Sequence, residues 1–173
     1  FLAALFPHNQ LKILDYNRVV RDLNGNSEYV FLNKVSEKFN LEKVVGTYKP
    51  ERKHTIGMYM SNTWYKLEPK YGTYDSEDVI ASLDVSILQN NLLEPILGIE
   101  NPRTDKRIDF VGGILGIEEL IRLVDSKEFK VAFALYPTSI NDLLKVADEG
   151  KIMPPKSTWF EPKLKSGIVV HLI

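Results

Sequence analysis

Apolar positions along this chain recur with two different periods, and the switches between them outline the elements. Residues 12–20, Lys-Ile-Leu-Asp-Tyr-Asn-Arg-Val-Val, are rich enough in β-branched and aromatic side chains to predict a strand. Asn24-Gly25 punctuates it, and Ser27 is placed to cap a helix. From there Phe31, Leu32, Val35 and Phe39 mark one helical face, until Gly46 and Pro50 break the chain. Residues 56–60 and 64–67, separated by Ser61-Asn62-Thr63, read as an antiparallel hairpin. A loop rich in Pro, Gly, Tyr and charge follows over 68–78 and is the place where a subdomain boundary is expected. Residues 83–93 then show helical spacing, ended by Pro95 and Gly98.

The second half is more regular. Residues 108–111 predict a short strand that runs into Gly112-Gly113, and Ile117, Leu120, Ile121 and Val124 follow at i, i+3, i+4, i+7 of a helix. Residues 129–136 read as a buried strand. Pro137-Thr138-Ser139 opens another helix, where Ile140, Leu143, Leu144 and Ala147 repeat the helical spacing up to Gly150. Pro154, Pro155 and Pro162 hold an extended segment, and residues 168–173 read as a closing strand. The expected fold class is therefore α+β: a mixed sheet with an antiparallel hairpin in the first half and a β-α-β-α-β unit in the second. Short links there favour neighbouring, parallel strands. Residues 1–173 are expected to form one α+β domain. The uncapped apolar start at 1–6, without an initiator Met, reads as cut from a longer element, so the chain is expected to be a fragment of a longer protein.

Composition narrows the function classes. With 44% apolar and 26% charged residues the chain is globular rather than a disordered tail. The 22 basic and 23 acidic residues leave a net charge of −1, which offers no footprint for nucleic acid or a membrane surface but leaves room for a local anion site. No run approaches the roughly 18 apolar residues of a membrane helix. The absence of cysteine excludes disulfides, zinc-thiolate sites and thiol nucleophiles within the chain, and suits a reducing, cytoplasmic location.

Candidate chemistry sits in the second half. Arg103, Asp105, Lys106, Arg107 and Asp109 crowd a short loop, and guanidinium forks match phosphate or carboxylate oxygens; the alternative is that these charges pair among themselves on a solvated loop. Gly112 and Gly113 stand where backbone N–H groups can meet an anion, although neither the Rossmann nor the P-loop fingerprint is satisfied and a tight turn explains them as well. In the proline-stiffened segment, Lys156 supplies a cation, Ser157 and Thr158 supply hydroxyls, and Trp159 offers an apolar wall, unless the aromatic ring is spent on the core. His8, His54 and His171 show no metal-ligand spacing, so no metal site is expected, and no catalytic residue can be named.

These same segments resemble a known family. Leu-Phe-Pro-x-x-Gln-Leu-Lys-Ile-Leu-Asp-Tyr-Asn-Arg-Val-Val within 2–25, Leu-Asp-Val-Ser-Ile-Leu-Gln within 83–98, and the stretches 103–113, 134–147 and 153–172, with Met-Pro-Pro-Lys-Ser-Thr-Trp-Phe-Glu-Pro-Lys, are similar to the family catalogued as domain of unknown function 1015. The resemblance is to the C-terminal half. It implies complete members about twice this long, whose N-terminal half carries an Asp-Gly-His-His-Arg-type motif like that of the ParB/sulfiredoxin-like superfamily. That superfamily includes nucleases, nucleotide-dependent enzymes and free-serine kinases. Members also sit near serine-biosynthesis genes. No such His-Arg motif occurs in this chain.

Two functions are expected from this. In the first, the 103–113 and 153–166 stretches form a pocket for a small phosphorylated or carboxylated metabolite in a nucleotide-dependent, kinase-like enzyme. A nucleoside phosphate with Mg would be used by the full-length protein, and the partner would be the missing half of the same chain. The second is a non-catalytic dimerisation or regulatory module, with a homodimer as its form.

Overall fold

The computed structural model describes Pro7 and residues 10–163; the expected strand at 168–173, His8, His171 and the apolar start at 1–6 lie outside them. The strand expected over 12–20 is divided at Asp15 into β1 (Lys12–Leu14) and β2 (Tyr16–Val20). Ser27 caps α1 (Glu28–Lys38), its hydroxyl accepting from the Val30 N–H at 3.3 Å. Phe39 does not extend that helix. Its backbone is extended (φ −125°, ψ 148°), and it opens β3 (Phe39–Val44), a strand the helical reading had absorbed.

The hairpin is as expected, β4 (Ile56–Met60) with β5 (Thr63–Pro69), in register Met60↔Thr63. Its two linking residues, Ser61 (φ 49°) and Asn62 (φ 57°), both take the left-handed region that a tight hairpin turn demands. Over 83–93 the chain forms α2 (Asp84–Leu88) and then a π-helical turn, Gln89–Leu93, a local widening often found at functional sites. Then come β6 (Ile108–Gly112), a 3₁₀ turn, α3 (Ile117–Asp125), β7 (Val131–Leu135), α4 (Ile140–Asp148) and β8 (Trp159–Glu161). Among the described residues no helix is long and apolar enough to cross a membrane.

The fold is α+β. Its main sheet has the order β3-β5-β4-β7-β2-β6, and every neighbouring pair is antiparallel. β6 and β7 each run antiparallel to β2, so they are parallel to one another, as the β-α-β pattern implies, but β2 is inserted between them. A strand from the chain's beginning thus fills the gap of a split β-α-β unit. β1 pairs separately with β8.

Strand alternation sorts the core into two layers. Val20, Ile56, Met58, Leu67 and Phe133 face α1 and the 83–99 region, while Val19, Tyr59, Trp64, Ala132 and Ala134 face α3. Phe31, on α1, is fully buried, a transfer worth about 1.5–3 kcal/mol. α4 buries Val146, with Ile140 and Leu143 half-buried, so its inner stripe is turned relative to the expected face and leaves Leu144 exposed. Period 2 along β2 has one further consequence. Arg18 falls on the same face as Val20, inside the first apolar layer.

Candidate functional site

Arg18 is only 4% exposed. Its register partners are Phe110 on β6 and Phe133 on β7, so its stem lies between two aromatic neighbours, with the guanidinium carbon 5.6 Å from the Phe110 ring centre. Two carbonyls receive its hydrogens: Nη1 donates to Tyr16 O, and Nη2 donates to Lys156 O at 3.0 Å. No Asp or Glu side chain pairs with it, and the described residues include every Asp and Glu of the chain. Burial pushes the guanidinium down to about 10, against an opposing effect from Tyr16, so it stays cationic at neutral pH. A buried charge without a counter-charge costs several kcal/mol and calls for an explanation.

The explanation on hand is a pocket. A cavity of about 450 Å³ opens against Arg18, floored by Ile80, Val85, Leu93 and Phe110 and bounded by Pro102 and Pro154. Its polar lining comes from the α2 and π-helical segment, as Ser86, Gln89 and Asn90. Gln89 is held by donating Nε2 to Ile99 O at 2.7 Å. Asp78 also reaches the rim, but it is occupied: Oδ1 accepts the Ile80 and Ala81 N–H groups at 2.7 and 2.8 Å, and Oδ2 meets Lys151 at 3.1 Å. The volume lies in the range of small-molecule sites, largely apolar with a few fixed polar groups.

An outer cavity of about 520 Å³ adjoins it, sharing Pro102, Phe110 and Pro155, and contains Arg103, Asp105, Asp109 and Lys156. Residues of the 103–113 stretch and Pro155 and Lys156 thus line one cavity, and Phe110 borders both the inner and outer spaces. Their individual side chains have varied employment. Arg103 and Lys106 are exposed. Arg107 bonds Asp105 at 2.7 Å and the carbonyls of Leu97 and Gly98 at 2.9 Å each, and lies 3.6 Å from Asp22. That guanidinium holds the Asp105 carboxyl below the usual range, through a side-chain hydrogen bond first of all.

The glycines serve close approach. A Cβ on Gly112 would lie 2.5 Å from the Trp159 ring, and one on Gly113 would lie 2.4 Å from Asp15 Oδ1. The Gly113 N–H is already given to Asp15 O at 2.8 Å. Ser157 is buried and donates to Pro154 O at 2.5 Å, Thr158 is half-buried, and Trp159 packs edge-on against Tyr16 with ring centres 5.4 Å apart. Lys156 lies over Tyr16 and Phe110, its Nζ 5.5 and 5.7 Å from their ring centres.

Sequence reasoning passed over Arg18, Ser86 and Gln89. A signal was present for the first: an arginine in the middle of a strand that runs Tyr-Asn-Arg-Val-Val, since charged residues are almost never fully buried without a partner.

An α+β sheet protein with one acid-free buried arginine beside an apolar pocket is the class that the fold and site define. The model of the family described as Protein of unknown function (DUF1015) matches residues 1–86, and the chain resembles a member of that family. No match is found among curated proteins. Among solved structures, a mutant free serine kinase in complex with AMP is 12% identical with a TM-score of 0.49, covering 87% of this chain and 54% of its own. A mutant free serine kinase in complex with ADP is 13% identical with a TM-score of 0.47 and the same coverages, 87% and 54%. The chain thus spans about half the length of these proteins.

Proposed function

We propose that this chain binds a small anionic metabolite, carboxylated or phosphorylated, in the inner pocket, with Arg18 taking the anionic group and the apolar floor taking its body. The observation that carries the reading is a desolvated guanidinium that lacks an acidic partner and borders a cavity of about 450 Å³. An anion supplied by a ligand would provide the missing counter-charge, and charge-assisted hydrogen bonds to a guanidinium are among the stronger ones. Arg103 and Lys156, in the outer space, would attract the ligand and solvate any part that protrudes.

In a longer chain of this family the pocket would form the acceptor side of a nucleotide-dependent phosphotransferase. The nucleoside phosphate and Mg would be held by the other half. The residues described here would then bind and orient the acceptor.

The test is an NMR titration of the full chain with a panel of carboxylated and phosphorylated metabolites, amino acids and nucleoside phosphates included. At least one should saturate and shift the amides of Gln89, Leu93 and Phe110, and Arg18→Met should weaken it at least tenfold. A panel in which nothing saturates, or a variant that binds as the parent does, overturns the reading.

A further inference from the structure

The inner pocket carries a more specific statement about its ligand, one that rests on the anion-site reading above. We infer that it selects a monocarboxylate with an apolar body over a phosphomonoester with the same body.

The charge count is the first ground. Among the described residues Arg18 is the one cation on the pocket lining, and the other charged group there, Asp78, accepts two backbone N–H groups and meets Lys151, which it shares with Glu149. Lys156 is exposed and its Nζ is 5.7 Å from the centre of the Phe110 ring, among the outer-space residues. A single positive charge matches a single negative one. A phosphomonoester carries about −1.5 to −2 at neutral pH, so part of its charge would be buried uncompensated. Burying an unpaired charge is far more costly than burying a paired one.

Donor geometry is the second ground. A guanidinium has five N–H groups. One on Nη1 is spent on Tyr16 O and one on Nη2 on Lys156 O. What remains is Nε–H and one hydrogen on each Nη, enough for the paired donors that a two-oxygen carboxylate takes side by side. The third ground is the body. Ile80, Val85, Leu93 and Phe110 provide an apolar floor, and a cavity of about 450 Å³ holds a single ring with its substituents.

A matched pair of probes tests this on the full chain: phenylacetate against phenyl phosphate, with benzyl alcohol as the uncharged control. The readout is NMR titration of the Arg18 Nε–H and of the Gln89 and Leu93 amides. At pH 7.5 phenylacetate should bind at least tenfold tighter than phenyl phosphate, and benzyl alcohol should not saturate. At pH 5, where the phosphate is mostly a monoanion because its second pKa is about 6, the gap should narrow to about threefold. Phenyl phosphate binding as tightly as phenylacetate at pH 7.5 overturns the carboxylate assignment and leaves the anion site standing. A gap unchanged at pH 5 overturns the single-charge argument. If neither anion moves these resonances, the anion site falls as well.

Discussion

Arg18 donates from Nη2 to the carbonyl oxygen of Lys156 at 3.0 Å, joining the second strand of the chain to the proline-stiffened segment 138 residues later. The bond holds Lys156 with its backbone at φ 57°. Removing the charge and keeping the stem separates the two duties of this arginine. Arg18→Met retains packing between Phe110 and Phe133, loses two hydrogen bonds and relieves a desolvated charge, terms that nearly cancel. Its unfolding free energy in urea should stay within about 1 kcal/mol of the parent while anion binding falls. A loss above about 3 kcal/mol would make Arg18 a structural residue instead.

Arg107 should behave in the opposite way. Its guanidinium ties together Asp105, Leu97 O and Gly98 O. Arg107→Ala should cost about 1–3 kcal/mol in urea denaturation, because the buried Leu97 and half-buried Asp105 lose a charged donor. Probe affinity in the inner pocket should change by less than about twofold, since ΔΔG values of separate sites add.

Gly112 and Gly113 give a stability test of the βα turn. Gly113→Ala would push a methyl to 2.4 Å from Asp15 Oδ1 and 2.9 Å from its backbone O, where β2 begins, and Gly112→Ala would push one to 2.5 Å from the Trp159 ring. Each should destabilise by about 1–3 kcal/mol, as overpacking does. Gly113→Ala should be the worse, because a backbone atom yields less than a side chain. Thermal melts of the two variants would decide, and a Gly113→Ala chain as stable as its parent would refute the close-approach account.

Asp84 predicts a pH dependence. Burial pushes its carboxyl up to about 6 from 3.8, against the hydrogen bond that the His54 N–H donates to it at 2.9 Å. The folded state therefore holds a proton between roughly pH 4 and pH 6 that the unfolded state has released. Stability contributed by the neutral form is complete below pH 4 and is lost as pH rises through 6. Asp84→Asn keeps the acceptor oxygen for His54 and has no charge to bury. It should exceed the parent by about 1–3 kcal/mol at pH 7.5, with the two chains converging near pH 4. Parallel stability curves across that range would contradict this.

What the linear pattern settles is whatever depends on neighbours a few residues away. The 56–69 hairpin, the Ser27 cap, α3 with its Ile117, Leu120 and Val124 face, and the class α+β all follow from local periodicity and turn chemistry. Where two periods compete locally, that signal fails: Phe39 fits the helical face of Phe31 and Val35, but it also starts the Phe39, Leu41 alternation that β5 converts into a strand. The candidate site shows the same division. Residue types suited to anions in 103–113 and 153–166 are legible in the sequence, but which of them line one cavity is set by packing between segments distant in the chain.

Order in the sheet is a tertiary decision. Only the insertion of β2 between β6 and β7 buries Arg18, because on an edge strand the same side chain would reach water. The residue sequence placed an arginine in a strand; the packing of Phe110, Phe133 and the 83–93 helices around it turned that arginine into a desolvated cation beside a cavity. Burial is a property of surroundings, and surroundings come from chain segments that local sequence does not bring together.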